Sequence, residues 1–257
     1  MTAADHRKAM RKLLESFTPR HRMWETFDAW TEATAYAIAN RVTPPDSPEW
    51  KAREDRYAQI KDRFGESAEA AFGEALAHLV EALALEPSDQ LGLLASELEV
   101  LSLDGHAQFF TPFDVSVLLA RLSLDDAEVR KVITERGYIT LSEPAAGAGG
   151  MVIAAAQTLR DMGLNPQTQM HATCWDVEAT AAHMCYVQLA LLHIPAVVVL
   201  GNTLTLETRG YFETPAHVWG LWRHRLARRD NEAPAPAPIT LGPLSEQPAL
   251  FQVGEAA

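Results

Sequence analysis

The sequence predicts an α/β fold, a helical bundle followed by a short parallel sheet. Residues 1–104 carry apolar side chains at helical spacing almost throughout. Beyond them three short apolar runs, 139–142, 170–175 and 196–200, alternate with helical stretches, as parallel strands joined by crossover helices require. The first of these runs ends at Glu143 and Pro144 in a loop carrying Gly147, Gly149 and Gly150, and an Ala-rich helix follows. Glycines there permit positive φ and close approach of a ligand to backbone, and the helix behind them offers unpaired N–H groups.

The 257 residues suit one large domain or two small ones, and 47% hydrophobic content can fill a core. The expected division is a helical domain over 1–104, a cofactor-binding domain over 105–229 and a Pro/Ala-rich tail over 230–257. No apolar run is long enough to span a bilayer, and the first ten residues lack the apolar core of a signal peptide, so a cytoplasmic protein without membrane contact is expected. Cys174 and Cys185 fall on a predicted strand and a predicted helix, so reduced thiols are expected. No metal site is expected, because no second pair at ligand spacing accompanies His183 and Cys185. The formal net charge of −12 opposes binding to a polyanion. DNA is therefore expected to bind only weakly or through a partner.

The first helix is expected over 6–16, with Met10, Leu13 and Leu14 on one side, and a second over 24–39 through Trp24, Phe27, Trp30 and Ile38. Pro44, Pro45 and Pro48 break the path. A charged helix over 50–64 and an apolar one over 68–85, with Phe72, Leu76, Leu79, Val80 and Leu83, form the next pair. Ser88 is read as the N-cap of a last helix through Leu91, Leu94, Leu98 and Leu101. These stripes read as core. Thr111 and Pro112 are read as the cap and first position of a helix over 113–124.

Around the glycine loop the residue types suggest a ligand. Glu143 is placed to accept from an amine, and an acid beside the loop disfavours a pyrophosphate and favours a ligand with a cationic amino-acid end, such as S-adenosylmethionine. Asp176, at the carboxyl end of the second strand, can accept both ribose hydroxyls of an adenosine, and Val177 can pack on the adenine. A turn without any ligand is the plainer alternative.

Gln108-Phe-Phe-Thr-Pro112, the glycine loop, Trp175-Asp176-Val177 and Gly201-Asn-Thr-Leu204 occur in that order. Together they resemble the cofactor-binding half of the N6-adenine DNA methyltransferases, particularly the modification subunits of type I restriction systems, over residues 105–206. The usual forms there are Gln-Phe/Tyr-Phe-Thr-Pro, Asp-Pro-Ala-Cys-Gly-Thr-Gly-Gly, a strand ending in Glu, and Gly-Asp-Thr/Ser-Leu. The resemblance implies a partial Rossmann-like methyltransferase fold and S-adenosylmethionine or S-adenosylhomocysteine as cofactor. It lays Phe109 or Phe110, with Thr111 and Pro112, across the methionine end. It gives Glu143, Pro144, Ala145, Gly147, Gly149 and Gly150 to the loop contact, Asp176 and Val177 to the adenosine, and Asn202 and Leu204 to the adenine. Asn202 stands where the family usually has Asp, so it would accept without a charge.

These methyltransferases also carry a fourth strand ending in Asn/Asp/Ser-Pro-Pro-Tyr/Phe, whose polar group and proline carbonyl accept from the target amine while the ring stacks on the flipped base. It is absent from this sequence, where the only Pro-Pro pair is Pro44-Pro45. Tyr211, Phe212 and Pro215 are the only substitutes on offer. Without a fourth strand beside it, the first would have an open edge, and residues 239–241, a second copy or another subunit is expected to cover it. Residues 219–229, rich in Trp and Arg, read as a helix that either contacts phosphates or an acidic partner or packs its tryptophans inward. The favoured reading is a truncated, cofactor-binding methylase relative that has lost transfer and serves as an accessory, regulatory or decoy module of DNA modification or restriction. The alternatives are an active methyltransferase with a non-standard or partner-supplied motif, and a structural protein that has lost the cofactor.

Overall fold

The computed structural model describes residues 1–100 and 110–232, the side chains of 229–232 aside. The expected boundary at 104, Phe109, and the tail from 233, including residues 239–241, lie outside the described residues. Two compact units are present, Met1–Trp222 and Arg223 onward.

The first unit begins with α1 (Ala3–Glu15), capped reciprocally by Thr2 and Asp5: Asp5 N–H donates to Thr2 Oγ1 at 3.2 Å and Thr2 N–H to Asp5 Oδ2 at 2.7 Å. Helix α2 (Met23–Ala39) is buried on most sides, with Phe27 and Trp30 fully enclosed. After the proline-rich break, Ser47 caps α3 (Pro48–Phe64), which buries only the stripe of Ile60 and Phe64. Then α4 (Ser67–Leu85) packs on α1 and buries Phe72, Ala75, Leu79 and Leu83. Trp30 bridges the layers, its Nε1–H donating to the Phe72 carbonyl at 3.1 Å.

Helix α5 (Gln90–Glu97) starts one residue later than expected, because Asp89 and not Ser88 is the cap. Asp89 Oδ1 takes the Gly92 N–H at 2.8 Å, while Ser88 donates to Glu86. Pro112 is likewise the cap of α6 (Phe113–Ser123) and not its first residue. Helix α7 (Asp126–Arg136), a mostly charged helix with one buried residue, was not anticipated and closes on Gly137 at φ +82°.

Strand β1 (Ile139–Glu143), α8 (Gly150–Asp161), the short α9 (Pro166–Gln169), β2 (Met170–Asp176), α10 (Ala179–Leu191) and β3 (Ala196–Asn202) make two parallel crossovers. Right-handed crossovers put α8 and α10 on the same face. Their contact is direct, with the Ala148 carbonyl at the head of α8 accepting from Gln188 Nε2 of α10 at 2.7 Å.

A fourth strand, β4 (Glu207–Glu213), pairs antiparallel with β3 across a bulge at Leu200/Gly201, giving the order β1-β2-β3-β4. Only three strands were expected. The sequence hides the fourth because it buries one side chain, Phe212, and exposes or half-exposes the others, so it shows no apolar run.

Tyr36 of α2 stacks on Phe212 of β4, Tyr186 of α10 lies tilted against the same ring, and Thr180 Oγ1 donates to Asp28 Oδ1 at 2.6 Å. One hydrophobic core therefore runs from the N-terminal helices into the sheet. The sheet's other face holds His171, whose Nε2 lies 2.8 Å from Nδ1 of His217, with Trp222 against it.

The stretch 219–229 is not one helix. α11 (Pro215–Trp219) ends at Gly220, Leu221 sits at φ +53°, and α12 (Trp222–Glu232) begins. The break turns Trp222 fully inward and leaves Trp219 66% exposed, so only one of the two tryptophans packs inward. The second unit, taken alone, continues α12 and exposes Arg223, His224 and Arg228. Among the described residues no helix is long and apolar enough to cross a membrane.

Candidate functional site

The glycine loop is held by three backbone tethers. Ala146 N–H donates to the Trp175 carbonyl at 2.8 Å, Gly149 N–H to the Ala146 carbonyl at 2.8 Å, and Gly147 N–H to Asp176 Oδ2 at 2.8 Å. Gly147 and Gly149 take φ of +53° and +92°, a region other residues enter at a cost. Space demands glycine as well. A Cβ on Gly147 would lie 2.9 Å from the Phe110 ring, and one on Gly149 would lie 3.2 Å from Cys185 Sγ. Cys174 and Cys185 are free and buried there, and the Cys185 thiol is pushed well up by its hydrogen bond with Cys174 and by burial.

Beside this loop opens a cleft of about 290 Å³, near the lower end of the range for small-molecule sites. The loop from Ala145 to Ala148, with Gly150 and Met151 of α8, forms its floor. Asp176, Val177 and Glu178 form one wall, and Phe110, Thr111 and Ser116 another. Asp89 reaches it from the helical region. Asp176 has one wall position and two jobs, since its Oδ1 also accepts the Glu178 N–H at 2.9 Å. Each carboxylate oxygen keeps a second acceptor site, so both can still receive hydroxyls. Val177, 48% exposed, offers an apolar surface next to it.

Of the residues singled out from sequence, Phe110, Thr111, Ala145, Gly147, Gly150, Asp176 and Val177 line the cleft. Pro112, Pro144 and Gly149 flank it without lining it. Glu143 does not line it either: its Oε1 accepts the Ala145 N–H at 3.3 Å. Burial raises the Glu143 carboxyl above its ordinary value, the Ala145 bond opposes this, and the charge of Asp176 adds to it. Asn202 turns its Oδ1 back on its own loop, accepting from the N–H of Leu204 at 2.9 Å, and Leu204 is 95% exposed. Tyr211, Phe212 and Pro215 are apart from the cleft. Phe212 is buried between Tyr36 and Tyr186, Pro215 is buried at the start of α11, and Tyr211 faces outward from β4.

Sequence reasoning passed over Asp89 and Ser116. Asp89 is buried, and burial pushes its carboxyl up while bonds from Gln188 and Gly92 pull it down. Gln188 ties the assembly together. Its Nε2 donates to Asp89 Oδ1 at 2.8 Å and to the Ala148 carbonyl, and its Oε1 accepts the Leu91 N–H at 3.0 Å. Ser116 is 1% exposed, and its hydroxyl has no partner among the described residues. The available signals were Gln188, a polar residue inside a mostly apolar helix, and Asp89 at the cap position of α5.

Three parallel strands with crossover helices, a glycine loop at the end of one strand and an acid at the end of the next make a partial Rossmann-like α/β fold. Residues 101–229 match the model of the N-6 DNA methylase family, half of the chain, and the chain belongs to that family. No curated protein matches it. Among solved structures, one described as a class I S-adenosylmethionine-dependent methyltransferase from Listeria monocytogenes is similar, at 13% identity over 76% of this chain and 52% of that chain, with a TM-score of 0.38. This chain thus spans about half the length of that structure.

Proposed function

We propose that the cleft binds S-adenosylmethionine, or its product S-adenosylhomocysteine, and that the chain serves DNA adenine modification as an accessory, regulatory or decoy module impaired in methyl transfer. The carrying observation is the Gly147–Asp176 bond, which holds the glycine loop against the strand-end acid beside a cleft with an unpartnered hydroxyl. Asp176 receives the ribose hydroxyls, Val177 meets the adenine, and Phe110 and Thr111 cover the methionine end. The loop's missing side chains leave room for backbone contact. The bound cofactor would supply an electrophilic methyl group; among the described residues Tyr211, Phe212 and Pro215 lie apart from the cleft and complete no pocket there for the accepting amine.

Impaired transfer is supported by the missing Pro-Pro tetrapeptide and by the burial of Phe212, which packs against Tyr36 and Tyr186 and is not open to a base. A net charge of −12 leaves attraction for DNA to a second subunit.

Calorimetric titration with S-adenosylmethionine tests the binding. At about 100 times the dissociation constant, stability should rise by roughly 2.7 kcal/mol, and Asp176→Ala should remove the rise. A purified chain that takes up no cofactor would end the proposal. Transfer of labelled methyl to adenine-containing DNA by the chain alone would end the impairment.

A further inference from the structure

Asp89 occupies an unusual position. It caps α5 in the helical region, yet its side chain sits at the head of α8, where a Cβ on Gly150 would lie 3.2 Å from Asp89 Oδ2. Its two oxygens are not equivalent. Oδ1 accepts both protein bonds, from Gly92 N–H and from Gln188 Nε2, at 2.8 Å each. Oδ2 receives no hydrogen bond among the described residues, although the residue is only 5% exposed and lines the cleft. Oδ2 is thus left open to the cleft without a protein donor, a place where a ligand donor can complete the carboxylate. Ser116, with its own unpartnered hydroxyl, lines the same cleft.

The donor that Oδ2 lacks has a natural chemistry. The first N–H groups of α8 have no intrahelical acceptors and favour an anion, while Asp89 beside them favours a cation. An anion and a cation side by side are the carboxylate and ammonium of an α-amino acid. We propose that Asp89 is a binding residue for the amino-acid end of the cofactor, its Oδ2 accepting from the α-ammonium group, with Ser116 as a second polar contact. The inference rests on the cofactor reading above and extends it. It assigns the amine to an acid of the helical region, and Glu143, bonded to its own loop, is left out. It also makes the N-terminal helices part of the site, because the group that recognises the amine is the cap of α5.

Asp89→Asn separates the electrostatic role from the structural one. Asparagine caps a helix about as well as aspartate, and the Gly92 and Gln188 donors both require an oxygen at the Oδ1 position. The amide nitrogen is thereby forced to the Oδ2 position, where it presents donors to an ammonium. Titration of wild type and D89N with S-adenosylhomocysteine and with 5′-methylthioadenosine, which lacks the amino-acid end, reads the difference. S-adenosylhomocysteine should bind D89N roughly tenfold to a hundredfold more weakly, and methylthioadenosine should bind both proteins alike. Equal affinity of both proteins for S-adenosylhomocysteine would overturn the Asp89 assignment and leave cofactor binding standing. Equal weakening toward both ligands would reduce Asp89 to a structural cap. A wild-type protein that binds neither ligand overturns the assignment together with the cofactor reading.

Discussion

Gly147 donates its N–H to Oδ2 of Asp176 at 2.8 Å, joining the glycine loop after β1 to the end of β2 across 29 residues of chain. The bond gives one carboxylate two tasks, bracing the loop and facing the cleft. Asp176→Asn has a single carbonyl oxygen, so it must give up either the Gly147 tether or the Glu178 bond. We expect a loss of about 1 kcal/mol in stability and a weaker S-adenosylmethionine complex, read by denaturant unfolding and calorimetry. Unchanged affinity would separate Asp176 from the ligand.

Gly147 itself should resist substitution. Its φ of +53° and the Phe110 ring 2.9 Å from a built Cβ act together. Gly147→Ala should cost about 1–2 kcal/mol from the backbone alone, and should push Phe110 from the wall of the cleft. The measurement is a melting curve with and without cofactor; an alanine variant as stable as wild type would contradict the geometry.

The unanticipated strand can be tested at Gly201, where a Cβ would come 2.2 Å from the Glu207 carbonyl oxygen. Because the contact is with backbone, β4 must shift to admit it. Gly201→Ala should therefore accelerate amide exchange in β4 selectively while β1 and β2 keep their protection. Uniform exchange across the sheet would argue against the β3–β4 pairing.

His183 should make the fold acid-sensitive. Burial lowers its pKa below the ordinary 6.5, Glu32 and Asp28 partly oppose this, and Arg56 adds to it. The unfolded chain then binds the proton more readily, so stability is full above 6.5 and is lost as pH falls through that value. His183→Phe keeps a ring beside Tyr36 and Phe212 and should flatten the pH dependence between about 7.5 and 5.5, followed by denaturant midpoints. Parallel curves for the two proteins would refute the assignment.

Glu143 carries the opposite sign. Its pKa is raised first by burial, so the folded state resists ionisation, and stability rises as pH falls through the folded value. Glu143→Gln retains the oxygen that accepts from Ala145 and should stabilise the protein at pH 8 by under about 1 kcal/mol, given the side chain's partial exposure. The gain should vanish in acid. A destabilised variant at pH 8 would show that the charge is used.

The sequence by itself determined the α/β class, the helices α1 to α4 and α10, the three parallel strands and the glycine loop, because each rests on a local signal. Apolar period, proline breaks and glycine content are properties of neighbouring residues. Family membership was legible for the same reason, in ordered motifs such as Gln108-Phe-Phe-Thr-Pro112 and the loop through Gly150.

What only the tertiary structure decided depends on residues far apart in the chain. β4 exists because β3 offers it an edge, and its own sequence buries a single side chain. Asp89 joins the cleft because Gln188, on a distant helix, fixes its Oδ1 and leaves Oδ2 facing inward. Glu143 and Asn202 are spent on their own loops through bonds that spacing could not reveal. An acid's role depends on which donors reach it, and those donors are brought by packing.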